Sequence, residues 1–211
     1  FLFERISALF QRMTRIFISY RRTDSIGHTG RIYDRLVAEF GKDSVFMDVD
    51  NIPLGADFSK HIAQEVSKCQ VVLVVIGNAW TTATSVDGTR RLDSIDDYVR
   101  VEIESALQQG IPVIPVLLDG VSMPTRLQLP ESLHPLTQRN GVTVGYNPRF
   151  YPDMMRLIKG LKLLINPVDF APDDIEKGDE ESALIKFART TVQMQALSVA
   201  SVWLFAKRLF K

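Results

Sequence analysis

Cysteine is almost missing from this chain: the only one in 211 residues is Cys69, just ahead of the apolar run VVLVVI. A lone cysteine excludes an internal disulfide and a CxxC metal knuckle, and it fits a reducing, cytoplasmic setting. Excess charge is missing as well, because 25 Lys and Arg balance 25 Asp and Glu. No global field therefore gathers nucleic acid or an anionic membrane surface, and no nucleic-acid partner is expected. Long apolar runs are also lacking. The most apolar stretch, Val192 to Ala206, holds 15 residues, two of them Gln, and is fenced by Arg189, Lys207 and Arg208. It falls short of the roughly 20 residues needed to cross a bilayer. It is read as a helix that inserts in a membrane or that packs on the domain, another subunit or an absent partner. No internal repeat and no low-complexity tract is present.

What the chain does contain is an alternation of two periods. TRIFISY (Thr14 to Tyr20) is a β-branched and aromatic run, and HTGRIYDRLVAEFG follows with Ile32, Leu36 and Phe40 at helical spacing, closed by Gly41. The pattern recurs as SVFMDV (strand), ADFSKHIAQEVSKC (helix), QVVLVVIG (strand), DDYVRVEIESALQQG (helix) and IPVIPVLLDG (strand). A weaker strand around Gly141 to Gly145 and a helix YPDMMRLIKGLKLLI complete five units by Ile165. Strands apolar on both faces imply a parallel sheet covered by helices. The expected fold is α/β, a flavodoxin-like doubly wound five-stranded sheet.

The organisation expected is an N-terminal amphipathic helix or cut chain edge over 1–13, the α/β domain over 14–166, an acidic linker over 167–188 and the apolar helix over 189–211. The opening FLFERISALFQRM lacks an initiator Met and is interrupted by Arg5, so it is not read as a signal peptide. The linker is assigned because DFAPDDIEKGDEESALIK sets seven acidic residues against two lysines with almost no apolar periodicity.

Ligands of doubly wound sheets bind outside the carboxyl ends of the strands, so those ends were tested for familiar occupants. After the first strand SYRRTDSIGHTG lacks GxGxxG, and neither GxxxxGK[ST] nor GxSxG occurs anywhere. A phosphate-accepting receiver domain wants an Asp at the end of strand three, where this chain has Ile76 and Gly77. What the strand ends carry instead is ISYRR, then FMDVDNIPLG, then the long loop NAWTTATSVDGTRRLDSIDDYVRVE. In this the chain resembles the TIR domain, bacterial type. IFISYRR is similar to the family's first box, VFMDVDNIPLGADF to its BB loop, and YVRVE to the aromatic and glutamate of the third helix, and the resemblance runs from about Thr14 to about Ile165.

Two glutamates two residues apart, Glu102 and Glu104, lie on that helix. With Val99, Ile103, Ala106, Leu107 and Gly110 as the buried stripe, Glu102 falls about 80° from its middle and Glu104 about 120° away on the other flank. Glu104 reads as a solvated surface charge. Glu102 reads as a boundary residue whose stem packs while its carboxylate faces a cleft, or as an ordinary boundary glutamate. The resemblance decides for the former, because NAD+-cleaving TIR domains carry a catalytic glutamate at this place, which by motif match is Glu102. The implied activity is an NAD+ glycohydrolase that takes NAD+ as substrate, needs no cofactor or metal, and is completed when TIR domains assemble.

As substrate-binding positions the resemblance implies Ser19, Tyr20, Arg21, Arg22, Phe46, Asp48, Trp80 and Tyr98. Arg21 and Arg22 are expected to meet a pyrophosphate or to lie in a solvated loop. Phe46 and Tyr98 are expected to stack on nicotinamide or to be core. Trp80 forms a pocket wall or anchors its loop. Members often have Trp-Cys where this chain has Tyr98 and Val99, which keeps an aromatic face. Ser94 and Asp97 read as a helix-capping pair, S-x-x-D. His28, His61 and His134 are scattered and suggest no site. Assembly is assigned to Asp50, Asn51, Ile52, Pro53, Leu54 and Gly55, where Pro53 stiffens the loop and Gly55 lets it turn. Partners implied are other TIR domains, an upstream sensor, and a membrane through 189–211. Bacterial members of this type look like effectors of antiphage defence. Two other readings stay open: a TIR scaffold without enzymatic activity, and a generic nucleotide-binding flavodoxin-like module.

Overall fold

The structure is a computed structural model and describes residues 15–47 and 57–165. Five strands form one all-parallel sheet in the order β2-β1-β3-β4-β5. They are β1 (Ile16–Ser19), β2 (Val45–Met47), β3 (Val71–Ile76), β4 (Val113–Leu118) and β5 (Val142–Val144). The helices are α1 (Arg22–Phe40), α2 (Phe58–Ser67), α3 (Tyr98–Gln108) and α4 (Phe150–Ile165). This is the doubly wound order expected from the sequence, and it reverses between β1 and β3, where such folds open a crevice.

The central strand β3 shows why the sheet is covered on both faces: all six of its residues, VVLVVI, are buried. Strand alternation sends Val72, Val74 and Ile76 to one face together with Phe17 of β1. There they share a core with Ile62 and Val66 of α2 and Val99, Val101, Ile103 and Ala106 of α3. Each such Val, Ile or Phe side chain contributes about 1.5–3 kcal/mol when fully buried. The alternate residues, Ile16, Ile18, Val71, Leu73 and Val75, turn to the opposite face, the side of Ile32 and Leu36 of α1.

Three differences from the sequence expectation have local causes. The first helix starts at Arg22 rather than His28, because two helical stretches join across a kink at Ser25 (φ −140°, ψ 15°). It ends where expected, at Gly41, whose positive φ of 90° lets its N–H bond back to the Val37 carbonyl. Second, α3 is buried nearly all round, Val101 and Ser105 included. The 3-10 segment Glu131–Gln138 lies on the flank that the helical wheel left to solvent, and its Leu133 and Leu136 join the same core as Val101. Third, Glu104 is accordingly not a solvated charge: it pairs with Arg100 at 2.6 Å and accepts the Ser132 hydroxyl.

Of the described residues, those up to Met154 form one compact unit and those from Met155 belong to a second. Of the second unit, residues 155–165 are described and are helical. The expected segments 1–13, 167–188 and 189–211 lie outside the described residues. No described helix is long and apolar enough to cross a membrane.

Candidate active site

The site is built from one alternation. Phe17, Ser19 and Arg21 occupy every second position along an extended backbone that persists through Arg21 (φ −105°, ψ 113°). Phe17 belongs to the core shared with α3, so Ser19 and Arg21 are directed to the same face. There they meet α3 at two heights. The Ser19 hydroxyl donates to Glu102 Oε2 at 2.6 Å, and both groups are buried, with Glu102 only 7% exposed. The Arg21 guanidinium makes a forked pair with Asp97, at 2.8 Å and 3.0 Å.

Asp97 is the N-cap of α3: its carboxylate accepts the Arg100 N–H at 3.1 Å, where the helix dipole also favours negative charge. Arg91 Nε reaches the same carboxylate at 3.2 Å. Asp97 thus caps alone, and the expected Ser94–Asp97 capping pair does not form. Ser94 sits one turn too early and accepts the Asp96 N–H instead.

A second clamp steadies the loop that leads into this helix. Asp24 of α1 accepts the N–H groups of Gly77 and Ala79 at 2.9 Å and 2.7 Å, pinning the backbone that leaves β3. A Cβ at Gly77 would come within 2.4 Å of the Asp24 carboxylate, so only glycine admits this close approach. Trp80 follows and is fully buried in the core shared with α3, with its indole N–H unpartnered among the described residues. It anchors the loop, and the pocket-wall reading is set aside.

The other substrate positions divide. Tyr98, one turn before Glu102 on α3, is 49% exposed and meets Phe58 edge to face at 5.1 Å, so it stands at the surface beside the glutamate. Tyr20 is buried and Arg22 is exposed at the start of α1. Arg21 is not a pyrophosphate ligand: it is 1% exposed and its fork is spent on Asp97. Phe46 is not a stacking platform either. Its register partner is Phe17, which puts it on the core face, and Arg15 lies over its ring at 4.2 Å. Asp48 and the assembly positions Asp50, Asn51, Ile52, Pro53, Leu54 and Gly55 lie outside the described residues.

Sequence reasoning missed Asp24, Arg91 and the depth of Asp97. The signals were present as RTD after the first strand and as an acid directly before a helix start. Among the described residues no group of three or more His, Cys, Asp or Glu is placed to hold a metal ion. What the arrangement offers, besides the arginine-paired Asp97, is the buried carboxylate of Glu102, held between β1 and α3 at the carboxyl end of the sheet. A carboxylate so placed can accept hydrogen bonds from a polyol and stabilise developing positive charge.

The fold and this constellation define a class. A family model described as TIR domain matches residues 16–147, well over half of the chain. The protein belongs to the TIR domain family. Among solved structures, the TIR domains of the activated Roq1 resistosome directly recognizing the pathogen effector XopQ match with a TM-score of 0.51 at 16% identity, covering 69% of this chain and 98% of that one. At that identity the likeness concerns the fold. No curated protein matches the chain.

Proposed function

We propose that this TIR domain is an NAD+ glycohydrolase, with Glu102 as its catalytic carboxylate. The observation that carries the reading is the burial of Glu102 at the carboxyl end of β1, with Ser19 bonded to it and Tyr98 exposed one turn away. In the reaction the bond between ribose C1′ and the pyridinium nitrogen breaks. Its electron pair passes to that nitrogen, and nicotinamide leaves neutral, so no general acid is required. Glu102 holds a ribose hydroxyl and stabilises the oxocarbenium-like transition state. Water then adds at C1′ and loses a proton to give ADP-ribose, or an internal nucleophile of the same molecule closes a cyclic product.

Activation by self-assembly of TIR domains, a sensor upstream, a cytoplasmic location and a role in bacterial antiphage defence complete the proposal. The absence of an internal disulfide supports the location. The test is nicotinamide release by concentrated protein. Glu102→Ala is expected to lower it at least about 10²-fold with the melting temperature retained. Undiminished release from that variant overturns the assignment. If instead the wild type leaves NAD+ intact in demonstrated assemblies, the scaffold reading takes over, with Glu102 reduced to a buried helix carboxylate.

A further inference from the structure

We infer that Ser19 is a positioning residue for Glu102 and not a substrate contact; this rests on the reading of Glu102 as the catalytic carboxylate. Ser19 is 1% exposed, so its hydroxyl does not meet a ligand arriving from solvent. A serine hydroxyl has one proton to donate, and here it goes to Glu102 Oε2 at 2.6 Å. The side chain is thereby committed to orienting a carboxylate. A carboxylate carries about four lone-pair sites, so a bond from serine is compatible with further bonds to ribose hydroxyls.

Both backbones that set this contact are fixed independently of any ligand. Ser19 ends a strand paired on both sides, in register with Val74 of β3. Glu102 is carried by a helix whose N-cap, Asp97, is tied by Arg21 to the extended backbone two residues beyond β1. The Oγ–Oε2 distance is therefore set by a strand and a helix rather than by loops, which holds a reacting group to within about 0.5 Å. Without the hydroxyl, the carboxylate loses a short buried bond that favours one orientation of its terminal torsion, which is intrinsically broad and two-fold.

The experiment compares wild type, Ser19→Ala, Ser19→Thr and Glu102→Ala as full chains in concentrated form. Ser19→Ala is expected to lower kcat for nicotinamide release about 10- to 100-fold, with KM for NAD+ within about two-fold of wild type. Ser19→Thr, which keeps the hydroxyl, restores kcat. A crystal structure of Ser19→Ala should show the Glu102 carboxylate displaced by more than about 0.5 Å or rotated. If Ser19→Ala leaves kcat unchanged, or raises KM alone, or leaves the carboxylate in place, the positioning role is wrong. Glu102→Ala separates the two failures: full activity there removes the catalytic reading itself, whereas loss there with a normal Ser19→Ala removes only this inference. The crystallographic arm stands even for an inactive protein.

Discussion

The two ends of the sheet use the same residue types to opposite effect. At the amino end Arg15 pairs loosely with Glu65 at 3.7 Å, both about a quarter exposed, and lies over the Phe46 ring. At the carboxyl end Arg21 pairs with Asp97 through two bonds, both side chains 1% exposed, beside Tyr98 and Glu102. A long, partly exposed pair is screened by water and contributes little. A buried fork constrains geometry, and its removal leaves a charge without compensation. An arginine, an acid and an aromatic ring in proximity therefore do not distinguish the two ends; burial at a strand's carboxyl end does.

The sharpest way to break this contrast is to delete one cation at each end. Arg21→Met should destabilise the protein by up to about 3–5 kcal/mol, since buried Asp97 keeps only Arg91 and the Arg100 N–H as partners among the described residues. Arg15→Met should cost under about 1 kcal/mol. Comparable shifts in urea midpoint would show the two pairs to be equivalent after all. A smaller effect concerns the loop clamp. Gly77→Ala should cost about 1–3 kcal/mol by driving a methyl group into the Asp24 carboxylate. Combined with Asp24→Ala it should cost less than the sum of the two, a double-mutant cycle that additive values would contradict.

The smallest expected effect separates two corners of the carboxyl edge itself. At the β1 corner the buried ions are paired, whereas His28 is buried against Tyr146 and Phe150 with, among the described residues, no charged group bonded to its ring and only the Gly145 backbone beside it as a weak polar neighbour. Burial, then the nearby Arg31, holds its pKa below the ordinary histidine value of 6.5, against weaker opposition from Asp119. The unfolded chain takes up this proton first. The contribution of His28 to stability is therefore intact above pH 6.5 and declines as the pH falls from there through the lowered folded-state value. Urea midpoints at pH 7.5 and 5.5 should differ more in wild type than in His28→Phe.

How much of this was legible varies with the range of the cause. VVLVVI announced a two-sided strand because burial on both faces leaves no polar alternation, and the element order implied the parallel sheet. The phase of α3 told Glu102 from Glu104, but it placed Glu104 in solvent, because the covering segment Glu131–Gln138 is an irregular 3-10 stretch that leaves no periodic signature. Arg21 and Phe46 were assigned to substrate as residues near strand ends. Their true partners, Asp97 and Arg15, are matters of pairing across 76 residues and of strand register. The alternation of Phe17, Ser19 and Arg21 was open to inspection and would have directed all three toward one helix. Asp24 stayed hidden because its ligands are backbone amides, which every sequence has.

The bond between Ser19 and Glu102 spans 83 positions of chain. Local helix or hairpin formation cannot bring its ends together; β1 must dock beside β3 and α3 must pack on that face, contacts of high sequence separation that carry a loop-closure cost. A chain still under synthesis lacks the site until Glu102 has been added and the sheet has closed around it. The juxtaposition is therefore a timer as well as a geometry: the carboxylate meets its serine only when the middle of the sheet is complete.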